Sequence, residues 1–134
     1  MEVLANLQGR IVGLGTDLAE VERIAHSLEK FGQKFTTRIF TAAEIAYVES
    51  KANKAERYAA RFAAKEAGMK AIGTGWQYGV KWQDFEVTNQ GSGAPKLLLH
   101  GKAAEFAGRL GARRVHLSLS HAQTLAMAIV ILEA

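Results

Sequence analysis

The sequence has no cysteine, one proline and no long apolar run. Without cysteine, disulfides and thiolate metal sites are excluded and the redox compartment is left open, so a cytoplasmic setting is the default expectation. The longest apolar run, near Leu125 to Leu132, is far too short to cross a bilayer as a helix. The opening MEVLANLQGR lacks a basic region followed by a long apolar stretch and does not read as a signal peptide. Aromatic residues are few. The two Trp, three Tyr and six Phe do not interleave with a basic stripe, which argues against a platform for single-stranded nucleic acid.

What is present fits one domain, 1–134, of ordinary globular composition: 49% apolar and 22% charged residues. The net charge of +4 is compatible with nucleic acid, a phosphorylated ligand or an acidic protein partner, and by itself chooses none of them.

Arg10–Gly15 (RIVGLG) reads as a strand. Asp17 with Glu20 three residues later has the form of a capping box that would open a helix at Leu18, with Leu18, Val21, Ala25 and Leu28 on its apolar face. Thr41 with Glu44 repeats the device for a helix to about Lys51. Asn53 with Glu56 launches the longest helix, about Lys54 to Ile72, and Gly73 stands where a left-handed C-cap is expected. The second half changes character. Short strands are expected over Asp84–Thr88 and Lys96–His100, separated by the turn-rich NQGSGAP. A helix is expected over Lys102–Leu110, then a hairpin of Val115–Ser120 with Leu125–Leu132. The fold class is therefore α+β: a leading strand, a helical block with one long helix, then mainly antiparallel strands.

The chemistry concentrates in RFAAKEAGMKAIGTGW, Arg61 to Trp76. On a helix Phe62, Glu66 and Lys70 share one face, and Arg61 and Lys65 a neighbouring stripe. A plain surface ion pair explains Glu66 and Lys70, and an N-cap explains Asp17. Taken together, however, Asp17 and Glu66 could hold Mg²⁺, which is commonly bound through one or two carboxylates plus substrate phosphates. Arg61, Lys65 and Lys70 would neutralise a polyphosphate, and the Gly73-Thr74-Gly75 backbone could approach it closely. No Walker loop or dinucleotide fingerprint is present.

Gly13-Leu14-Gly15-Thr16-Asp17, Arg61-Phe62-Ala63-Ala64-Lys65-Glu66-Ala67 and Lys70-Ala71-Ile72-Gly73-Thr74-Gly75 resemble the short-chain 4′-phosphopantetheinyl transferases of the holo-acyl-carrier-protein synthase type. The likeness continues through Asp84-Phe85-Glu86-Val87, Gly93-Ala94-Pro95 and His116-Leu117-Ser118-Leu119-Ser120-His121, nearly the whole chain. It implies transfer of 4′-phosphopantetheine from coenzyme A to a serine of an acidic acyl carrier protein, with adenosine 3′,5′-bisphosphate released. It also implies a role in fatty acid biosynthesis and a homotrimer with active sites between subunits. Asp17 and Glu66 match the family's metal-binding acids, for Mg²⁺ with Mn²⁺ as the alternative. Arg61, Lys65, Lys70, Gly73, Thr74, Gly75 and Pro95 match segments that meet coenzyme A. Arg23, Lys30 and Lys34 match basic residues that meet the carrier. Glu66, acting through a metal-bound water, is the candidate base and Lys70 the candidate to stabilise or protonate the leaving phosphate. His121 matches a histidine found in some members only, and a local hydrogen bond explains it as well as catalysis does. The longer, two-lobed transferases carry a second acid where this chain has Ala19, which points to a two-acid metal site.

Two rival readings are weaker. A basic RNA-binding module would leave the paired acids and the Gly-Thr-Gly turn without a purpose. A serine hydrolase built on Ser118 or Ser120 with His121 lacks a nucleophile elbow.

Overall fold

The computed structural model describes residues 9–89 and 93–134. Its elements are β1 (Ile11–Glu20), α1 (Val21–Phe31), α2 (Gln33–Ile39), α3 (Ala42–Glu49), α4 (Lys54–Ile72), a 3₁₀ turn (Trp82–Asp84), β2 (Phe85–Thr88), β3 (Lys96–Leu99), α5 (Gly101–Arg109), β4 (Arg114–His121) and β5 (Leu125–Glu133). Strands β1, β5 and β4 form an antiparallel sheet in that order, and β2 pairs with β3 in a separate hairpin. The architecture is the α+β one expected. The NQGSGAP turn lies partly outside the described residues.

Three capping boxes were expected and one forms. The Thr41 hydroxyl accepts from the Glu44 backbone N–H, and the Glu44 carboxylate accepts from the Thr41 N–H. Asn53 adopts a left-handed backbone, and its side chain makes no cap bond. Asp17 caps nothing, because β1 continues through it. Thr16 to Glu20 pair residue by residue with Ile129 to Leu125, and helix α1 starts only at Val21. The long apolar β5 offers a continuous hydrogen-bonded partner, and that ladder prevails over a local cap. Helix α2, unexpected from its β-branched sequence QKFTTRI, is held by burial of Thr36 and Ile39 and by the edge of Phe35 against Phe40.

Helix α4 lies across the inner face of the sheet, and the fit depends on missing side chains. A Cβ on Gly13 would stand 2.4 Å from the Ala71 carbonyl oxygen, and one on Gly15 would stand 1.9 Å from that of Ala67. With Ala63, Ala67 and Ala71 on the facing helix side, backbone meets backbone. The alternation of β1 then points Gly13, Gly15, Asp17 and Ala19 toward the helical layer, and Leu14, Thr16, Leu18 and Glu20 away from it. At its far end α4 stops on Gly73 with φ +80°, the left-handed cap expected.

Candidate active site

Helix α4 carries three stripes with three different duties. Ala60, Ala63, Ala64, Ala67 and Ala71 are buried toward the sheet. Arg61, Lys65 and Gly68 face α3 and β2: Arg61 lies over the Tyr47 ring, the Lys65 ammonium meets Glu44, and a Cβ on Gly68 would strike the Phe85 ring. Phe62, Glu66 and Lys70 are left for the third side.

That third side opens on a cleft of about 1000 Å³. Asp17, Leu18 and Ala19 from β1, Arg23 and His26 from α1, and Phe62 and Glu66 from α4 are among its walls. The close approach of β1 to α4 therefore brings together the two acids that lie 49 positions apart in sequence. Lys70 donates to the Asp17 carboxylate and to the Thr16 carbonyl, each at 3.0 Å, and is itself half exposed. Burial pushes the Glu66 carboxyl above the ordinary glutamate value, the Asp17 charge pushes it further, and Lys70 partly opposes both. An acid pair so arranged is short of positive charge. Two hard carboxylate donors suit a divalent cation such as Mg²⁺. Among the described residues no cluster of three or more metal-ligating side chains forms.

The remaining candidate residues are distributed around this cleft or away from it. Arg23 lines the cleft and is fully on the surface, 3.8 Å from Glu20. Lys30 lies over the exposed Phe31 ring, and Lys34 is exposed near the start of α2. Gly73, Thr74 and Gly75 form the turn just beyond Lys70. Arg61 is buried in a different groove, stacked on the Tyr47 ring and bonded to Asn89, with Pro95 at the approach to β3. His121 ends β4, exposed, and is not one of the cleft's walls.

Lys65 corrects the expectation that it meets a ligand. Its side chain is 0% exposed, and its ammonium is consumed by the Glu44 carboxylate at 2.6 Å and by the Phe85 and Trp82 carbonyls. Helical periodicity placed it beside Arg61, but it could not say that α3 and β2 cover that stripe. Two further features escaped the sequence reading. Glu44, legible only as a capping residue, is the buried partner of Lys65. The Trp82 ring stacks on Phe62 with centroids 5.1 Å apart and so backs one wall of the cleft.

Known proteins with this fold define a class. Residues 13–130 match the 4′-phosphopantetheinyl transferase superfamily, and the chain belongs to it. A holo-[acyl-carrier-protein] synthase of Solibacter usitatus is 66% identical over 123 residues, covering 92% of this chain and 98% of that protein. Among solved structures, the holo-[acyl-carrier-protein] synthase of Neisseria meningitidis superposes with a TM-score of 0.84 at 33% identity, covering 93% of this chain and all of that one. The Bacillus anthracis synthase, solved in complex with coenzyme A (3′,5′-ADP), gives 0.76 at 38% identity, covering 92% and 97%.

Proposed function

We propose that this chain acts as a holo-acyl-carrier-protein synthase, with Asp17 and Glu66 as its reaction centre. It moves 4′-phosphopantetheine from coenzyme A to a serine of apo acyl carrier protein, supplying holo carrier for fatty acid biosynthesis. The observation that carries the residue assignment is the convergence of Asp17, Glu66, Lys70 and Arg23 on one cleft edge.

In the reaction the serine oxygen forms a bond to the β-phosphorus of coenzyme A. The bridging P–O bond breaks, and adenosine 3′,5′-bisphosphate leaves. Asp17 and Glu66 would hold a divalent cation, Mg²⁺ or alternatively Mn²⁺, which would neutralise the diphosphate charge. Glu66, acting through a water, takes up the serine proton. Lys70, anchored on Asp17 and the Thr16 carbonyl, offers its remaining N–H to the leaving phosphate. Arg61, the Gly73-Thr74-Gly75 turn and Pro95 complete the coenzyme A contacts, and His121 is a further catalytic candidate. Arg23, Lys30 and Lys34 receive the acidic carrier.

Arg61 lies in a groove other than the cleft of Asp17 and Glu66, which fits an assembly that joins the two across subunits. The outward face of the β1-β5-β4 sheet supports it too. Leu14 and Leu18 are 63% and 58% exposed, alongside Ile11, Leu125 and Met127. A contiguous apolar sheet face of this kind marks an interface, and we assign it to a homotrimer. A cytoplasmic location is part of the same reading. No helix among the described residues is long and apolar enough to cross a membrane.

The test is turnover by Asp17→Asn and Glu66→Gln at saturating coenzyme A and Mg²⁺. Each is expected to lose at least about a hundredfold in kcat, the scale of one general-base or charge-stabilising group. Wild-type turnover by Glu66→Gln would remove it from the mechanism.

A further inference from the structure

Helix α4 meets the sheet through alanine, and an alanine surface has little relief to lock rotation or sliding. Something else must fix where Glu66 points. The fully buried side chain next to it, Lys65, is tied by all three of its ammonium protons. It donates to Glu44 Oε1 at 2.6 Å, to the Trp82 carbonyl at 3.4 Å and to the Phe85 carbonyl. Glu44 is equally committed. Its two oxygens accept from Lys65, from the Thr41 N–H that starts α3, and from the Val87 N–H of β2, the last two at 3.0 Å. Thr41 in turn donates its hydroxyl to Glu86 at 2.7 Å, and Glu86 reaches His100 at 3.0 Å. The network joins α3, the 3₁₀ turn, β2 and α4 around one ion pair. Its Trp82 member also packs its ring on Phe62, one turn before Glu66 and a wall of the cleft.

We infer that Lys65 and Glu44 are a positioning pair for the reaction, holding α4 in the rotation that presents Glu66 to the cleft beside Asp17. A cheaper apolar pair would fill the same space, since buried ion pairs of this kind are often replaceable by hydrophobic residues without loss of stability. What apolar residues cannot supply is the fixed three-point attachment of one helix residue to two carbonyls and a carboxylate. Lys65 touches no substrate. It acts through the direction of its neighbour.

The inference rests on the transferase reading, and the experiment separates the two. Glu44→Gln with Lys65→Met removes both charges together and leaves neither stranded. Glu44→Asp keeps both charges but withdraws the carboxylate by one methylene. Each is assayed as the full chain against apo carrier protein beside the wild type, with folding followed by circular dichroism. The expected result is a folded variant whose kcat falls at least tenfold, whose KM for coenzyme A and carrier stays within about threefold, and whose half-saturating Mg²⁺ rises. A pair that only stabilised the fold would lower the melting temperature and leave kcat and the Mg²⁺ requirement of the folded protein unchanged, and that result overturns the inference. Failure of both variants to fold overturns it as well, because the pair would then be a condition of folding rather than of alignment. A wild type that transfers nothing defeats the transferase reading itself, whatever the variants do.

Discussion

At Glu66 the fold holds a carboxylate partly buried beside a second carboxylate, so ionising it costs the folded chain something the unfolded chain does not feel. Its folded pKa is raised. The proton is therefore held to higher pH in the native state, and the associated stability is full below the ordinary value of 4.5 and lost as pH rises through the folded value. Glu66→Gln should accordingly melt higher than the metal-free wild type at pH 7 to 8, with the advantage disappearing below about pH 4.5. The same substitution should abolish turnover. Thermal melts across that pH range, read beside an activity assay, check both halves. At this scale much was legible. Asp17, Glu66 and Arg23 could be named from motif and charge, and the fold sets all three in one cleft, with Lys70 bonded to Asp17. Lys65 was misassigned because burial is decided by elements far away in sequence, α3 and β2, and no local pattern around Lys65 records them.

Among the elements, the contact of β1 with α4 sets the spacing of the acid pair. Gly15→Ala would place a methyl group 1.9 Å from the Ala67 carbonyl and 2.8 Å from the Ala71 nitrogen, both backbone atoms that cannot rotate away. Overpacking of this sort costs about 1–3 kcal/mol, and here the upper end or beyond is expected. The melting temperature should fall, and the Mg²⁺ requirement should rise because Asp17 shares the displaced strand. Chemical denaturation with a Mg²⁺ titration reads both. On α1, Arg23→Glu should raise KM for the acidic carrier roughly three- to tenfold at low salt, with the difference shrinking as salt screens it. Its kcat should change little. Steady-state kinetics at two ionic strengths tests this. Element boundaries were legible where the signal was local, as at Thr41 with Glu44 and at Gly73. They were not legible at Asp17, where pairing with β5, more than a hundred residues away, extends the strand past an apparent helix start.

For the whole molecule, the proposed trimer would form through the outer face of the three-stranded sheet. Leu14 and Leu18 lie on β1 opposite Ile131 and Met127 of β5, so the apolar surface runs across both strands. Leu14→Asp with Leu18→Asp should yield a folded chain that sediments as a monomer and has lost most of its transfer activity. An active monomer would separate catalysis from assembly. The alternation of β4 and the apolar run of β5 were legible in the sequence, but neither could say which face would be left uncovered once α4 had taken the other.

The transfer itself remains the most direct measurement. Apo acyl carrier protein is incubated with the chain, coenzyme A and Mg²⁺, and its intact mass is recorded with and without a chelator. A gain of one phosphopantetheine, abolished by the chelator and restored by added Mg²⁺, is the expected result. An unchanged carrier mass with a folded, assembled protein, or a gain indifferent to chelation, would contradict a cation-dependent reaction centred on Asp17 and Glu66.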